Sequence, residues 1–215
     1  MVLGTLQSWL TEFYALDIDY DIRDFLITDR RLARTLDRGG RENDEKLLIA
    51  EYGGEAEVSL YLQQELVDRL ALNDPTARLD AGNLADFWTA FEGISHFTYF
   101  AFRASHDRAV TLLEMELQAE VDKFVATTAL LRAQGERAPP GLHRWLFEHT
   151  RLAEELSAGE QERYARANHY AGKYCLKLWP QLSQGRAWEG LRRELRYFYR
   201  LPRAGKIDHI ETSGA

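Results

Sequence analysis

Residues 84–134 contain no proline and a single glycine, Gly93. Proline interrupts the hydrogen bonding of a helix interior and glycine weakens it, so their near absence over such a length favours helix throughout. Apolar residues recur here at intervals of three and four, which is typical of a helix buried along one side. The stretch exceeds an ordinary helix, and it predicts either one long helix or two that meet near residues 105–107.

Residues 46–62 have a different pattern, in which apolar and polar residues alternate on both sides of Gly53 and Gly54. Two adjacent glycines tolerate the positive φ angles of a tight turn, so we predict a β-hairpin closed at this pair. A helix over residues 55–72 is the alternative, because apolar residues there also recur at helical spacing.

Helical periodicity and Gly/Pro breaks predict the remaining elements. The other predicted helices span residues 1–16, 142–156, 159–179 and 187–201, with a turn at Pro180, and residues 22–36 suit one bent helix or two short ones.

The predicted fold class is mainly α (α+β): a helical bundle with one β-hairpin in the N-terminal half. The chain has 215 residues, of which 45% are hydrophobic, and this suits one core. We assign residues 1–202 to a single helical domain. Because Pro202 stops the last predicted helix, we assign residues 203–215 to a C-terminal tail.

Cysteine content and hydropathy indicate the cellular compartment of the protein. Cys175 is the one cysteine, so no intrachain disulfide can form. The first residues lack both the basic start and the continuous apolar run of a signal peptide, and no apolar window is long enough to span a membrane. We therefore predict a cytoplasmic protein that does not associate with membranes.

The chain carries 27 Lys and Arg against 34 Asp and Glu, a formal net charge of -7. This acidic excess argues against general nucleic-acid binding, which needs a cationic surface. The charge is uneven, however. Residues 180–215 contain seven basic and four acidic residues, a net +3, whereas residues 1–179 carry a net -10.

Four arginines concentrate this positive charge on the last predicted helix: Arg192, Arg193, Arg196 and Arg200. Guanidinium groups beside aromatic residues bind phosphates, other anions or an acidic partner helix. The alternative is that the apolar residues of this helix pack on the bundle while the arginines face water or pair with the acidic body.

Two pairs of residues at helical spacing are candidate metal ligands. Residues four apart project to the same side of a helix, so Glu92 with His96, and Glu116 with Glu120, each offer two ligands to one ion. His169 is a candidate second imidazole. Carboxylates with imidazole suit iron, manganese or zinc. The spacing differs from the repeated Glu-x-x-His of di-iron carboxylate bundles, so we assign no family.

Two alternatives compete with the metal site. Glu92 and His96 lie opposite the apolar stripe of the first part of residues 84–134, which is typical of a solvated face. Glu114, Gln118 and Asp122 likewise lie opposite the apolar stripe of the second part. A buried hydrogen bond between these two side chains is the other alternative, and it predicts a shifted pKa.

No complete catalytic motif is present, and whether the protein is an enzyme stays open. Because aromatic residues make up 12% of the chain and its charge is polarised, the first hypothesis is a cytoplasmic accessory or adaptor protein. It would bind another protein, or a second copy of itself, through an aromatic-rich helical surface or the basic C-terminal helix. A metal-binding protein or metalloenzyme is the alternative, and an anion or nucleic-acid binder is the third hypothesis.

Overall fold

A computed structural model describes residues 2–37, 43–53, 55–148, 156–184 and 188–212. Its described part is mostly helical, with one small sheet in the N-terminal half, which confirms the predicted fold class. Within these ranges, no helix combines the length and the apolar character needed to cross a membrane.

The predicted hairpin is confirmed. Strand β2 (Glu45–Tyr52) pairs antiparallel with β3 (Glu55–Leu62), and Gly53 in the turn has a φ of 61°. The alternative, a helix over residues 55–72, is wrong for residues 55–62, which form β3. Residues 64–72 do form a helix, α3 (Gln64–Leu72), directly after the strand.

Residues 22–36 contain two short helical segments, as one of the two alternatives predicted, but the strand that lies between them was not predicted. After helix α1 (Val2–Tyr14), the chain forms a short 3-10 helix (Ile22–Asp24), a two-residue strand β1 (Leu26–Ile27) and helix α2 (Arg30–Leu36). Strand β1 extends because it pairs in parallel with β3, giving the sheet order β1-β3-β2. This pairing is a non-local interaction that helical spacing does not reveal.

Residues 84–134 form two helices and not one long helix, so the second of the two alternatives is correct. Helix α4 (Leu84–Ala104) and helix α5 (Leu112–Ala133) are separated by a turn in which Asp107 has a φ of 52°. Thr111 caps α5, because its hydroxyl accepts a hydrogen bond from the Glu114 N–H.

The C-terminal half contains helices α6 (Leu142–Phe147), α7 (Ala158–Gln184) and α8 (Trp188–Arg200). Residues 149–155 of the predicted helix over 142–156 lie outside the described residues. The predicted turn at Pro180 is wrong, because this proline lies inside α7. A proline leaves the carbonyl four residues earlier without its helical donor. That carbonyl belongs to Leu176, which is 57% exposed, so water can replace the lost donor.

The predicted tail is also corrected, because residues of this segment form helix α9 (Arg203–Thr212). Lys206 and Ile210 on this helix are fully buried. The Lys206 ammonium group donates hydrogen bonds to Gln118 Oε1 at 2.6 Å and to the Phe198 carbonyl at 2.8 Å. Pro202 directly precedes α9, so no hydrogen bond within the helix requires its missing N–H.

Helix α5 is the centre of the bundle, where α4 and α7 pack against it. Its polar residues are buried together with its apolar ones: Glu114, Glu116, Gln118, Asp122 and Lys123. The prediction of a solvated face is therefore wrong for α5. It is also wrong for the His96 side chain on α4, which is 8% exposed.

Gly93 on α4 allows strand β2 to approach this helix closely. A Cβ atom at Gly93 would lie 2.8 Å from both Glu45 Cγ and Leu60 Cδ1, closer than side-chain atoms pack. We expect Gly93→Ala to lower the free energy of unfolding by about 1–3 kcal/mol, because the hairpin must move. Urea denaturation measures this change.

Gly190→Ala is the matched control, because nothing lies within 4 Å of the added Cβ on α8. Alanine favours helix over glycine, so the control should keep or raise the stability of the protein. Equal effects of the two substitutions would contradict the close approach at Gly93.

Lys206 should make the stability of the protein depend on pH. Burial lowers its pKa to about 7, against the attraction of Glu114 and Asp122, whereas an unfolded lysine has a pKa of about 10.4. Between these values the unfolded chain binds more protons. The free energy of unfolding should therefore rise as the pH increases from about 7 to about 10.

Urea denaturation across this pH range, with Lys206→Met as the comparison, tests the assignment. The wild type should gain stability relative to the variant as the pH rises. If the free energy of unfolding changed with pH in the same way in the wild type and in Lys206→Met, the lowered pKa of Lys206 would be contradicted.

Candidate functional site

Four carboxylates, one imidazole and one ammonium group lie together where α4, α5 and β2 meet. We call this group the carboxylate–histidine cluster, and it comprises Glu45, Glu92, His96, Glu116, Glu120 and Lys123. The exposed fraction of these side chains runs from 8% for His96 to 25% for Glu92. The cluster is therefore largely shielded from water, and its charges interact strongly.

His96 lies between two carboxylates from different elements. Its Nδ1 atom is 3.6 Å from Glu45 Oε1 on β2, and its Nε2 atom is 3.5 Å from Glu116 Oε2 on α5. Both separations exceed those of a good hydrogen bond. His96 Nε2 is accordingly a buried nitrogen without a hydrogen-bond partner among the described residues. The predicted direct hydrogen bond from Glu92 to His96 is not the arrangement found.

Glu92 instead accepts a hydrogen bond from Lys123. The Lys123 ammonium group lies 2.7 Å from Glu92 Oε2 and 2.8 Å from Glu120 Oε1. It thereby links α4 to α5 through two charge-assisted hydrogen bonds.

The pKa values in the cluster reflect both burial and pairing. Burial opposes the charged form of His96, but Glu116 and Glu45 raise its pKa well above 6.5. Burial also raises the pKa of Glu45 and of Glu120. The cluster therefore holds protons, among them the one that keeps His96 charged beside Glu45 and Glu116.

Helix α7 closes the cluster on the Glu116 side. Arg163 Nε is 3.9 Å from Glu116 Oε1, and its guanidinium group lies over the ring of Tyr164, 5.2 Å from the centroid. Burial and the negative charges of Glu116 and Glu92 raise the pKa of Tyr164 to about 12. This phenol therefore stays neutral at physiological pH.

The structure brings four of the five sequence-predicted metal ligands into this cluster. Glu92, His96 and Glu116 each offer one ligand atom within 4.8 Å of the other two, and this is the one such group of three in the described part of the chain. Glu120 belongs to the cluster through Lys123. His169 does not, because it is exposed on α7 and its ring contacts Tyr170.

Three residues of the site were missed from the sequence. Lys123 follows Glu120 by three residues and Glu116 by seven, so helical spacing could have identified it. Glu45 and Arg163 are distant in sequence from the other members, and only the tertiary fold brings them near.

The predicted anion-binding arginines divide into two groups. Arg196 donates to the carbonyls of Phe13 and Glu12, and Arg200 donates to those of Tyr14 and Ala15, so both satisfy the C-terminal end of α1. Their guanidinium groups are therefore already engaged with the backbone.

The other two arginines are less engaged. Arg192 pairs with Glu189 at 3.5 Å and lies over the ring of Phe13, while Arg193 is exposed. The apolar residues of α8 pack on the bundle, as the alternative interpretation predicted: Leu191, Leu195 and Phe198 are fully buried.

The dense aromatic content also lies mainly in the core. The buried rings of α4 and α5 include Phe87, Phe91, Phe97, Tyr99 and Phe124. Three aromatic residues in the described part remain about half exposed: Tyr20 at 52%, Trp145 at 51% and Tyr197 at 56%.

Arg196→Met should lower the free energy of unfolding by about 1–2 kcal/mol, because two carbonyls of α1 lose a charged donor. Arg193→Met on the same helix is the control and should leave stability within about 0.5 kcal/mol of wild type. Urea denaturation of both variants measures the difference. An unchanged free energy of unfolding in Arg196→Met would contradict the role of Arg196 at the end of α1.

No protein family model, curated protein or solved structure matches this chain.

Proposed function

We propose that this protein binds a divalent transition-metal ion through Glu92, His96 and Glu116. The observation that carries the proposal is His96 Nε2, a buried nitrogen without a hydrogen-bond partner, 3.5 Å from Glu116 Oε2. A buried polar atom without a partner is costly, and a bound ion is one of the groups that can satisfy it.

The spacing of these two atoms fits a shared ion. Metal–ligand bonds of about 2.0–2.2 Å place two ligands of a tetrahedral ion about 3.4 Å apart. The separation of 3.5 Å from His96 Nε2 to Glu116 Oε2 is thus long for a hydrogen bond but suitable for two metal ligands. Glu92 offers its atom within 4.8 Å of both, a gap that rotation of its side chain can close.

Glu45 supports the same arrangement from the other side of the imidazole ring. Metal-binding histidines usually direct their second nitrogen to a carboxylate, which fixes the tautomer and the orientation of the ring. Glu45 Oε1, 3.6 Å from His96 Nδ1, is in position for this role. The absence of a side chain at Gly93 gives Glu45 the space to reach it.

The charge of the site also favours a divalent ion. With a neutral imidazole, the four carboxylates of the cluster outnumber Lys123 and Arg163 by two negative charges. Uncompensated charge is unfavourable in a shielded site, and one divalent ion neutralises it. The ion would replace the proton on His96, because a metal-bound imidazole is neutral.

The donor set is one imidazole and two carboxylates, which suits iron, manganese or zinc. Bound there, such an ion would supply Lewis-acid polarisation of a ligand or activation of a water molecule. We place this function ahead of the adaptor and anion-binding hypotheses, because the aromatic rings of α4 and α5 are mostly buried and Arg196 and Arg200 bind backbone carbonyls.

Metal analysis of protein purified without chelator tests the proposal, followed by equilibrium dialysis of stripped protein against Fe²⁺, Mn²⁺ or Zn²⁺. The wild type should hold one ion per chain. His96→Ala and Glu116→Gln should lose it, and Glu45→Gln should weaken binding by about 10–100-fold.

His169→Ala is the matched control, because it removes an exposed imidazole outside the cluster. This variant should bind the ion as the wild type does. A folded wild-type chain that takes up none of the three ions would reject the proposal, and so would equal losses in the His96 and His169 variants.

A further inference from the structure

One member of the carboxylate–histidine cluster, Lys123, is itself a cation. The Lys123 ammonium group lies 2.7 Å from Glu92 Oε2 and 2.8 Å from Glu120 Oε1, and its side chain is 9% exposed. Two carboxylates from neighbouring helices thus converge on one buried positive charge. Two such carboxylates are also the donor set that a second metal ion would use.

We propose that Lys123 occupies the position of a second metal ion and thereby limits the site to one ion. The inference rests on the proposed function, in which the first ion binds Glu92, His96 and Glu116. Glu92 then lies between two cations, the metal ion and the ammonium group of Lys123.

Charge supports this assignment. With Lys123 and Arg163 present, the four carboxylates and a neutral His96 leave two negative charges, which one divalent ion cancels. Without Lys123 they leave three, so one divalent ion no longer suffices. A second ion beside Glu92 and Glu120 would then replace the lost positive charge.

The volume of the side chain at position 123 determines which variant has room for a second ion. Lys123→Ala removes both the charge and the side-chain volume between Glu92 and Glu120, so an ion and its water ligands can enter. Lys123→Met removes the charge but fills the same volume, which makes it the matched control. A purely structural role for Lys123, linking α4 to α5, predicts lower stability in both variants and no extra ion in either.

The experiment counts Mn²⁺ ions per chain after equilibrium dialysis of chelator-stripped protein against excess Mn²⁺. Lys123→Ala should bind one ion more than the wild type, and its electron paramagnetic resonance spectrum should show two coupled ions. Lys123→Met should bind no more than the wild type. In the double variant Lys123→Ala/Glu120→Gln the extra ion should be lost, because one of its two carboxylates is neutralised.

Equal ion counts in Lys123→Ala and the wild type would overturn the role of Lys123. Two ions in the wild type would overturn it as well, and this measurement does not depend on whether any variant folds. A wild type without any ion would reject the proposed function separately. The role of Lys123 would fall with it, because that role presupposes the first ion, whereas one ion in both the wild type and Lys123→Ala would overturn the role of Lys123 alone.

Discussion

The burial of helix α5 is the constraint on which the rest of the structure depends. Most of its polar residues are buried, although Arg132 near its end is exposed, so each buried charge needs a hydrogen-bonding partner. Glu114 accepts a hydrogen bond from Tyr99, and two groups of contacts serve the other buried charges. On one side Glu116, Glu120 and Lys123 join the carboxylate–histidine cluster. On the other, Asp122 accepts hydrogen bonds from Tyr14, Ser95 and Gln118, and burial raises its pKa to about 6.

The peripheral elements of the fold supply these partners. Strand β2 brings Glu45 to His96, and the small sheet holds this strand against α4. Helix α9 brings the ammonium group of Lys206 to Gln118, which in turn donates to Asp122. The hairpin and the last helix therefore complete the polar interior as well as covering apolar surface.

The two groups differ in how well their members are satisfied. Asp122 has three donors at 2.6–2.7 Å, as expected of a structural network. In the carboxylate–histidine cluster, Glu45 Oε1 and His96 Nε2 are buried without hydrogen-bond partners in the described part of the protein. Incomplete pairing of this kind is expected where a ligand supplies the missing interaction. It also occurs elsewhere in the described part, as at Tyr199 and Arg103, and the cluster differs from those positions because three ligand atoms converge there.

The sequence by itself determined the helical character of the chain and the hairpin at Gly53, because these follow from local spacing and turn chemistry. It left one helix or two open for residues 84–134, and the structure decided for two. The sequence also singled out Glu92, His96, Glu116 and Glu120, since helical spacing puts each pair on one side of its helix. Only the tertiary structure decided that these side chains are buried, that Glu45 and Arg163 join them, and that His169 does not. It also placed residues 203–212 in a helix against α5. The physical reason is that periodicity identifies one apolar side of a helix but cannot tell whether other elements cover the polar side as well.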